Sequence, residues 1–288
     1  MKEKSQFEKN AADKQVELLS EALNGAVSAG GHWLNATGKG YPKFYPKGVA
    51  VSPFNALFMA LHSDKTGSKT NLFTLYSEAK ARGESVREHE KGVPFLFYNW
   101  NKYVNRNNPN DIISRNDYQQ LPPEERNRYK GIHNREIRTL FTIDQTLLPL
   151  VDKNVYETLV QKHGNSVEQG FGEKELRELR PRFNVFVQAI SKNMVPIRTD
   201  GSGVAHYDSQ KDAVYIPRQK DFEHYTDYAQ ETLRQIIAAT GHQQRLAREG
   251  MVMKNGVPPT EDAVKQEHLI SEIASGIKML EMGLPARL

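Results

Sequence analysis

Glu231-Thr-Leu-Arg-Gln-Ile-Ile-Ala-Ala-Thr-Gly-His242 is the stretch on which the fold of the second half of this chain turns. It reads as the end of a helix over residues 224–239 that runs on into Thr240-Gly241. Upstream, Val195 to Arg198, His206 to Tyr207 and Ala213 to Ile216 read as short strands, preceded by a helix from Arg182 to Asn193, a Gly170–Gly172 turn and a helix ending near Gly164. Downstream, a second helix over 261–282 carries Glu267 and Glu272. Two helices over a small sheet make this half an α+β unit, beginning about Leu147.

Arg234, Gln235 and Ala238 stand at the spacing of a His-Glu-x-x-His helix. That motif puts two imidazoles one turn apart on one face, with a general-base carboxylate beside them. A guanidinium has no lone pair to give a metal, an amide takes no proton from water at neutral pH, and a methyl group does neither. The frame is kept and its chemistry is missing. The spare side chains that could ligate a metal are His206, His224, His242, Glu267, His268 and Glu272. Glu267 and Glu272 are five residues apart, so only one points ideally at the vacant helix face. An arginine at 234 is expected to pair with one of them, its charge standing in for that of a metal.

The segment resembles the metallopeptidase-like domain of the ArdC-like antirestriction family. The resemblance rests on Thr240-Gly241, Arg245-Leu246-Ala247-Arg248, and Glu267-His268-Leu269-Ile270-Ser271-Glu272 in place of that family's acidic helix. Upstream it rests on Ala205-His206-Tyr207 and Asp212-Ala-Val-Tyr-Ile-Pro217 followed by Phe222. The first half resembles the single-stranded-DNA-binding domain of the same family, through Asn55-Ala56-Leu57, Thr74-Leu75-Tyr76, Gly83-Glu-Ser-Val-Arg87, Glu90-Lys91-Gly92 and Phe141-Thr-Ile-Asp-Gln145. Where the family has a Tyr-x-Gly-x-Asn turn, this chain has Val51-Ser52-Pro53-Phe54-Asn55, so a proline with fixed φ stands near the glycine position. The resemblance implies two α+β domains, residues 1–146 and 147–288. It implies a single-stranded-DNA-binding protein of a mobile genetic element, in an antirestriction or DNA-transfer role, with a host or mobile-element protein as a further partner. Two readings stay beside it: a metallopeptidase of DNA-bound proteins with relocated ligands, and a protein-interaction inhibitor of a host defence enzyme.

Composition agrees with a two-domain chain. With 288 residues, 38% hydrophobic and 26% charged, the chain has the makeup of a globular protein. It has no cysteine, which excludes disulfides, thiolate metal sites and a cysteine nucleophile. No run is apolar enough for a membrane helix, and the charged opening Met1-Lys-Glu-Lys is no secretory signal, so a cytoplasmic protein is expected; with Arg234, Gln235 and Ala238 in place of two ligands and a base, no metal or cofactor is expected. The net charge of +4 is unevenly spread. Residues 1–150 hold 21 Lys and Arg against 16 Asp and Glu, whereas the remainder holds 18 against 19.

In the first half, residues 3–29 show helical periodicity, Asn55 to His62 reads as a buried helix, Leu72 to Tyr76 as extended, and Tyr76 to Arg82 as a helix closed by Gly83. Val93 to Trp100 and Ile137 to Thr142 read as paired strands, with residues 101–135 as a long polar excursion between them. Two aromatic and basic groups could hold a single strand, whose bases stack on exposed rings while cations take phosphates. The first is Lys39, Tyr41, Lys43, Tyr45 and Lys47, with Trp33 and Phe44 nearby and Asn55 after it; the second is Tyr98, Trp100, Lys102 and Arg106, flanked by Arg87 and Lys91. For each ring the alternative is packing in a core. By strand alternation Phe95, Phe97 and Asn99 share one face, Tyr98 and Trp100 the other.

Overall fold

The computed structural model describes residues 6–29, 32–34, 39–164, 173–199, 201, 203–253, 256–284 and 286–287. The first half runs α1 (Gln6–Ala29), β1 (His32–Leu34), β2 (Lys43–Phe44), β3 (Val49–Ala50), α2 (Pro53–Lys65), β4 (Leu72–Leu75), α3 (Tyr76–Ala81), β5 (Val93–Asn105), β6 (Ile112–Ser114), α4 (Arg115–Gln120), α5 (Pro123–Arg126) and β7 (Tyr129–Thr142). A 3-10 turn, Ile143–Gln145, leads to α6 (Leu148–Val151), α7 (Lys153–His163) and α8 (Glu173–Asn193). The second sheet and its helices follow: β8 (Ile197–Thr199), β9 (His206–Asp208), β10 (Ala213–Ile216), α9 (Tyr225–Thr240), α10 (Glu261–Met282) and β11 (Ala286–Arg287).

Six strands form the larger sheet in the order β3-β2-β4-β7-β5-β6, and three form the smaller in the order β8-β10-β9. Proline opens α2, where its missing N–H costs nothing. Every residue of α2 from Asn55 to Ser63 is buried, as for a helix apolar on all sides. Such a helix needs cover all round. Its neighbours are α1, α10 and the sheet strand β5, so the largest core joins Leu57 and Met59 to Phe73 and Leu140 of the sheet and to Phe183, Leu233 and Met279 of the second half. The expected division at 146/147 falls just past the 3-10 turn, but this core continues across it. The antiparallel pairing of β1 with β11 ties the two halves a second time.

Two expectations are corrected. The excursion over 101–135 is mostly strand: β5 runs on to Asn105 and β7 begins at Tyr129, leaving residues 106–128 as the connection, itself carrying β6, α4 and α5. This ribbon has no apolar alternation because it leaves the core, and its ladder of backbone hydrogen bonds is not visible in the sequence. The β5–β7 register shifts between Asn99 and Lys102, an irregularity in the ladder. The helix expected from Arg182 begins at Glu173 and carries Pro181 inside it, a residue that normally marks a helix start. The Gly170–Gly172 turn lies outside the described residues.

Candidate functional site

The buried face of α9, including Ala229, Gln230, Leu233 and Ile236, is turned to the core, and Arg234 lies beside it, half-buried. Of the two carboxylates expected for it, Arg234 meets Glu272: Nε donates to Oε2 at 2.7 Å and Nη2 lies 2.5 Å from the same oxygen. Its Nη1 donates to Glu231 Oε2 at 3.0 Å, and Gln235 Nε2 donates to Glu231 Oε1 at 2.7 Å. The other oxygen of Glu272 accepts from Trp33 Nε1 at 2.9 Å and from Gln230 Nε2 at 3.2 Å. Trp33, read from sequence as one of a run of exposed rings, is 3% exposed. It packs so closely on Gly276 of α10 that an added Cβ would lie 2.2 Å from its ring.

Glu267 is occupied differently. It is 3% exposed and takes a two-pronged bond from Arg248, at 2.7 Å from Nε and 2.5 Å from Nη2. Arg248 also reaches Thr240 Oγ1 and the Ile237 carbonyl, both at 2.7 Å, and so ties the end of α9 to α10. Arg245 binds the Asp212 carboxylate, with Tyr207 Oη donating to the same group at 2.7 Å. The Arg245 hydrogen bonds hold the Asp212 carboxyl below its usual range, and burial, with Asp212, pushes the Tyr207 hydroxyl up. The sequence reading used Arg245-Leu-Ala-Arg248 as a marker and missed that each arginine neutralises one carboxylate. The signal lay in two arginines three residues apart beside a helix end, with acidic residues otherwise left over.

These residues do not fit the zinc that such a helix would hold. The three helix positions offer a cation, an amide and a methyl group, while both nearby carboxylates already serve the guanidinium. The spare histidines do not make up the deficit. His206 is exposed and stacks on Tyr215 at 4.9 Å, His224 and His268 are exposed, and His242 Nδ1 accepts from the Gln244 backbone. Among the described residues no three His, Asp or Glu groups converge.

The first-half residues separate into two sets. Asn55, expected as a nucleic-acid contact, is 3% exposed and is corrected to a structural role. Its amide donates to the Leu96 carbonyl and accepts from the Leu96 N–H, both at 2.8 Å, standing in for a neighbouring strand along β5. Asn55→Ala is expected to cost about 2–3 kcal/mol, since two backbone groups lose their partner; chemical denaturation measures it. Lys39 is likewise corrected: its ammonium pairs with Asp64 at 2.8 Å and its side chain is 9% exposed. Tyr41 and Tyr45 are half-buried, with hydroxyls donating to the Val51 carbonyl at 3.0 Å and to Glu84 at 3.3 Å, and Arg82 lies 4.8 Å above the Tyr45 ring. Lys43 is half-buried in β2, while Lys47 is exposed. Arg87 pairs with Glu90 at 2.6 Å, and Lys91 is exposed.

Tyr98, Lys102 and Arg106 are exposed, Tyr98 by 52%; the side chain of Trp100 lies outside the described ones. With Arg115, Arg128 and Lys130, also exposed, Lys102 and Arg106 form an arm built of the far ends of β5 and β7 with β6, α4 and α5. None of these five cations forms an ion pair among the described residues. Sheet order puts the 39–50 segment at the β3 edge and the arm at the β6 edge, so the two groups lie at opposite ends of the sheet.

Residues 9–141 match the model of the N-terminal domain of the anti-restriction factor ArdC, and residues 184–288 match a zincin-like metallopeptidase model. Among solved structures, the metal-free crystal structure of the antirestriction ArdC protein from the R388 plasmid has a TM-score of 0.56 at 20% identity, over 94% of this chain and 81% of that one. The Mn(II)-bound structure of the same protein gives 0.52 at 20% identity, over 85% and 72%. At that identity the likeness is one of fold. No curated protein matches the chain.

Proposed function

Because this chain belongs to the ArdC-like antirestriction family, pairing that family's N-terminal domain with a zincin-like domain, we propose that it binds single-stranded DNA through the arm and uses the zincin-like domain as a scaffold without hydrolytic activity. The observation that carries the reading is the arm itself. It presents Lys102, Arg106, Arg115, Arg128 and Lys130, exposed and in no ion pair among the described residues although Asp111, Asp117, Glu124 and Glu125 belong to the same arm, and Tyr98 with half its surface open. Cations not committed to an ion pair are available to phosphates, and an open ring is available to an unpaired base. The basic excess of the chain also sits in this half.

The scaffold part of the proposal rests on Arg234. A guanidinium braced by Glu272 and Glu231 takes the place where a metal would polarise a peptide carbonyl, and Gln235 takes that of the base that would activate water. The plasmid source of the structural neighbour supports a place on a mobile element. No described helix is long and apolar enough to cross a membrane. The test is competition between a labelled single-stranded 20-mer and its duplex for the full chain at low salt. Tighter binding of the single strand is expected. Failure to bind it, or preference for duplex, overturns the proposal.

A further inference from the structure

A cavity of about 540 Å3 opens where the two halves meet, between the β2–β3 hairpin, α8 and the end of α10. Its size falls in the usual range for a small-molecule site, and junctions between domains are where such sites concentrate. Tyr41 and Phe186, both half-buried, give it an aromatic wall above the buried Phe183, and Arg182, Lys278 and Glu281 are its charged groups. The geometry is fixed by internal contacts. The Tyr41 hydroxyl is tied to the Val51 carbonyl at 3.0 Å, Phe183 is 1% exposed, and the Lys278 ammonium lies 5.0 Å over the Phe186 ring. Lys278 also pairs with Glu281 Oε2 at 2.7 Å, which leaves the other carboxylate oxygen able to accept. Burial, and after it the Glu281 charge, raises the Tyr41 hydroxyl to about 12.

An aromatic wall, two cations and one carboxylate acceptor are what a single nucleotide needs: a surface for the base, charges for its phosphate, and an acceptor for an exocyclic amine. We infer that this cavity is a nucleotide subsite, taking one unstacked base of a bound single strand against its aromatic wall, with the base amine donating to Glu281 and the adjoining phosphate meeting Arg182 and Lys278. The inference rests on the single-strand reading above and adds a selectivity to it. Cytosine presents an exocyclic amine as a donor and thymine presents a carbonyl, which a carboxylate repels. Tyr41 then belongs to nucleic-acid recognition as part of a pocket wall, not as an exposed platform.

The test compares labelled oligodeoxycytidine and oligothymidine 12-mers on the full chain. Cytidine is expected to bind about tenfold more tightly, the discrimination of one good polar base contact. Glu281→Gln, whose amide can accept from the cytosine amine or donate to the thymine carbonyl, should close that gap. Ala50→Trp, at an exposed position on the cavity wall, should block entry and bring both strands to one weaker affinity; a thermal melt of each variant checks folding. Equal binding of the two strands by the unaltered chain, or a preference that survives both substitutions, overturns the subsite. If the strands bind equally and still weaken on Lys102→Ala and Arg106→Ala, the subsite fails and the arm stands. If neither strand binds, both fail.

Discussion

Replacing residues 100–133 by an Asn-Gly turn is expected to leave the rest of the chain folded while lowering its affinity for single-stranded DNA about a hundredfold or more. The cut is placed where the ladder allows it. Asn99 and Asn134 are direct partners across β5 and β7, so a two-residue turn of the kind favoured in hairpins can join them. The arm closes its interactions on itself: Asp111 accepts from Asn105 and Tyr129, Arg126 caps the carbonyls of Gln119 and Leu121, and Tyr103 stacks on Tyr118 at 3.8 Å. Among the described side chains none between Tyr98 and Glu136 belongs to the main core. Removing the arm therefore opens no cavity there, but it removes five of the cations proposed to meet phosphates. A protein that unfolds on this deletion would show the arm to be part of the structural frame. One that folds and binds undiminished would move the DNA surface elsewhere.

Arg234→Ala is expected to destabilise the protein by about 3 kcal/mol, the lower end of the cost of breaking a buried ion pair. The side chains of Arg234 and Glu272 are 25% and 15% exposed, so neither charge is easily rehydrated. Trp33 and Gln230 would still donate to Glu272, which keeps the loss from being larger. Arg234→Ala with Glu272→Ala should recover part of the loss, because the more buried of the two carboxylates is then gone and Glu231 keeps its bond from Gln235. The converse change is Arg234→His, Gln235→Glu and Ala238→His together. Because Glu272 faces Arg234 while Glu267 is held by Arg248, Glu272 is the carboxylate expected to complete a rebuilt site. Elemental analysis should find about one zinc per chain in the triple variant and none when Glu272→Gln is added. A triple variant without zinc would show that the helix frame is misread.

The elements that pack were legible in the sequence and the partners of individual side chains were not. Periodicity placed α1, α2, α9 and α10 close to their observed ends because each buries a face whose spacing the sequence records. The ribbon beyond Trp100 buries almost nothing, so its residues carry no such record and read as loop. Arg234 was recognisable from its position in a motif, and its pairing with a carboxylate of α10 followed from charge alone. Trp33 was not: its partner lies 239 residues away, and only the fold that brings β1 against β11 and α10 could reveal it. The same holds for Asn55, whose buried bonds to Leu96 replace those of an absent strand. A polar residue in a buried helix looks the same in sequence whether it meets backbone or a ligand.

The most direct measurement is the slope of log affinity against log salt for the full chain on a single-stranded 20-mer. Each phosphate neutralised on a single strand adds about −0.7, so five arm cations predict a slope of about −3.5. A flat response would contradict the account, because binding would then owe nothing to the charges that Lys102, Arg106, Arg115, Arg128 and Lys130 present.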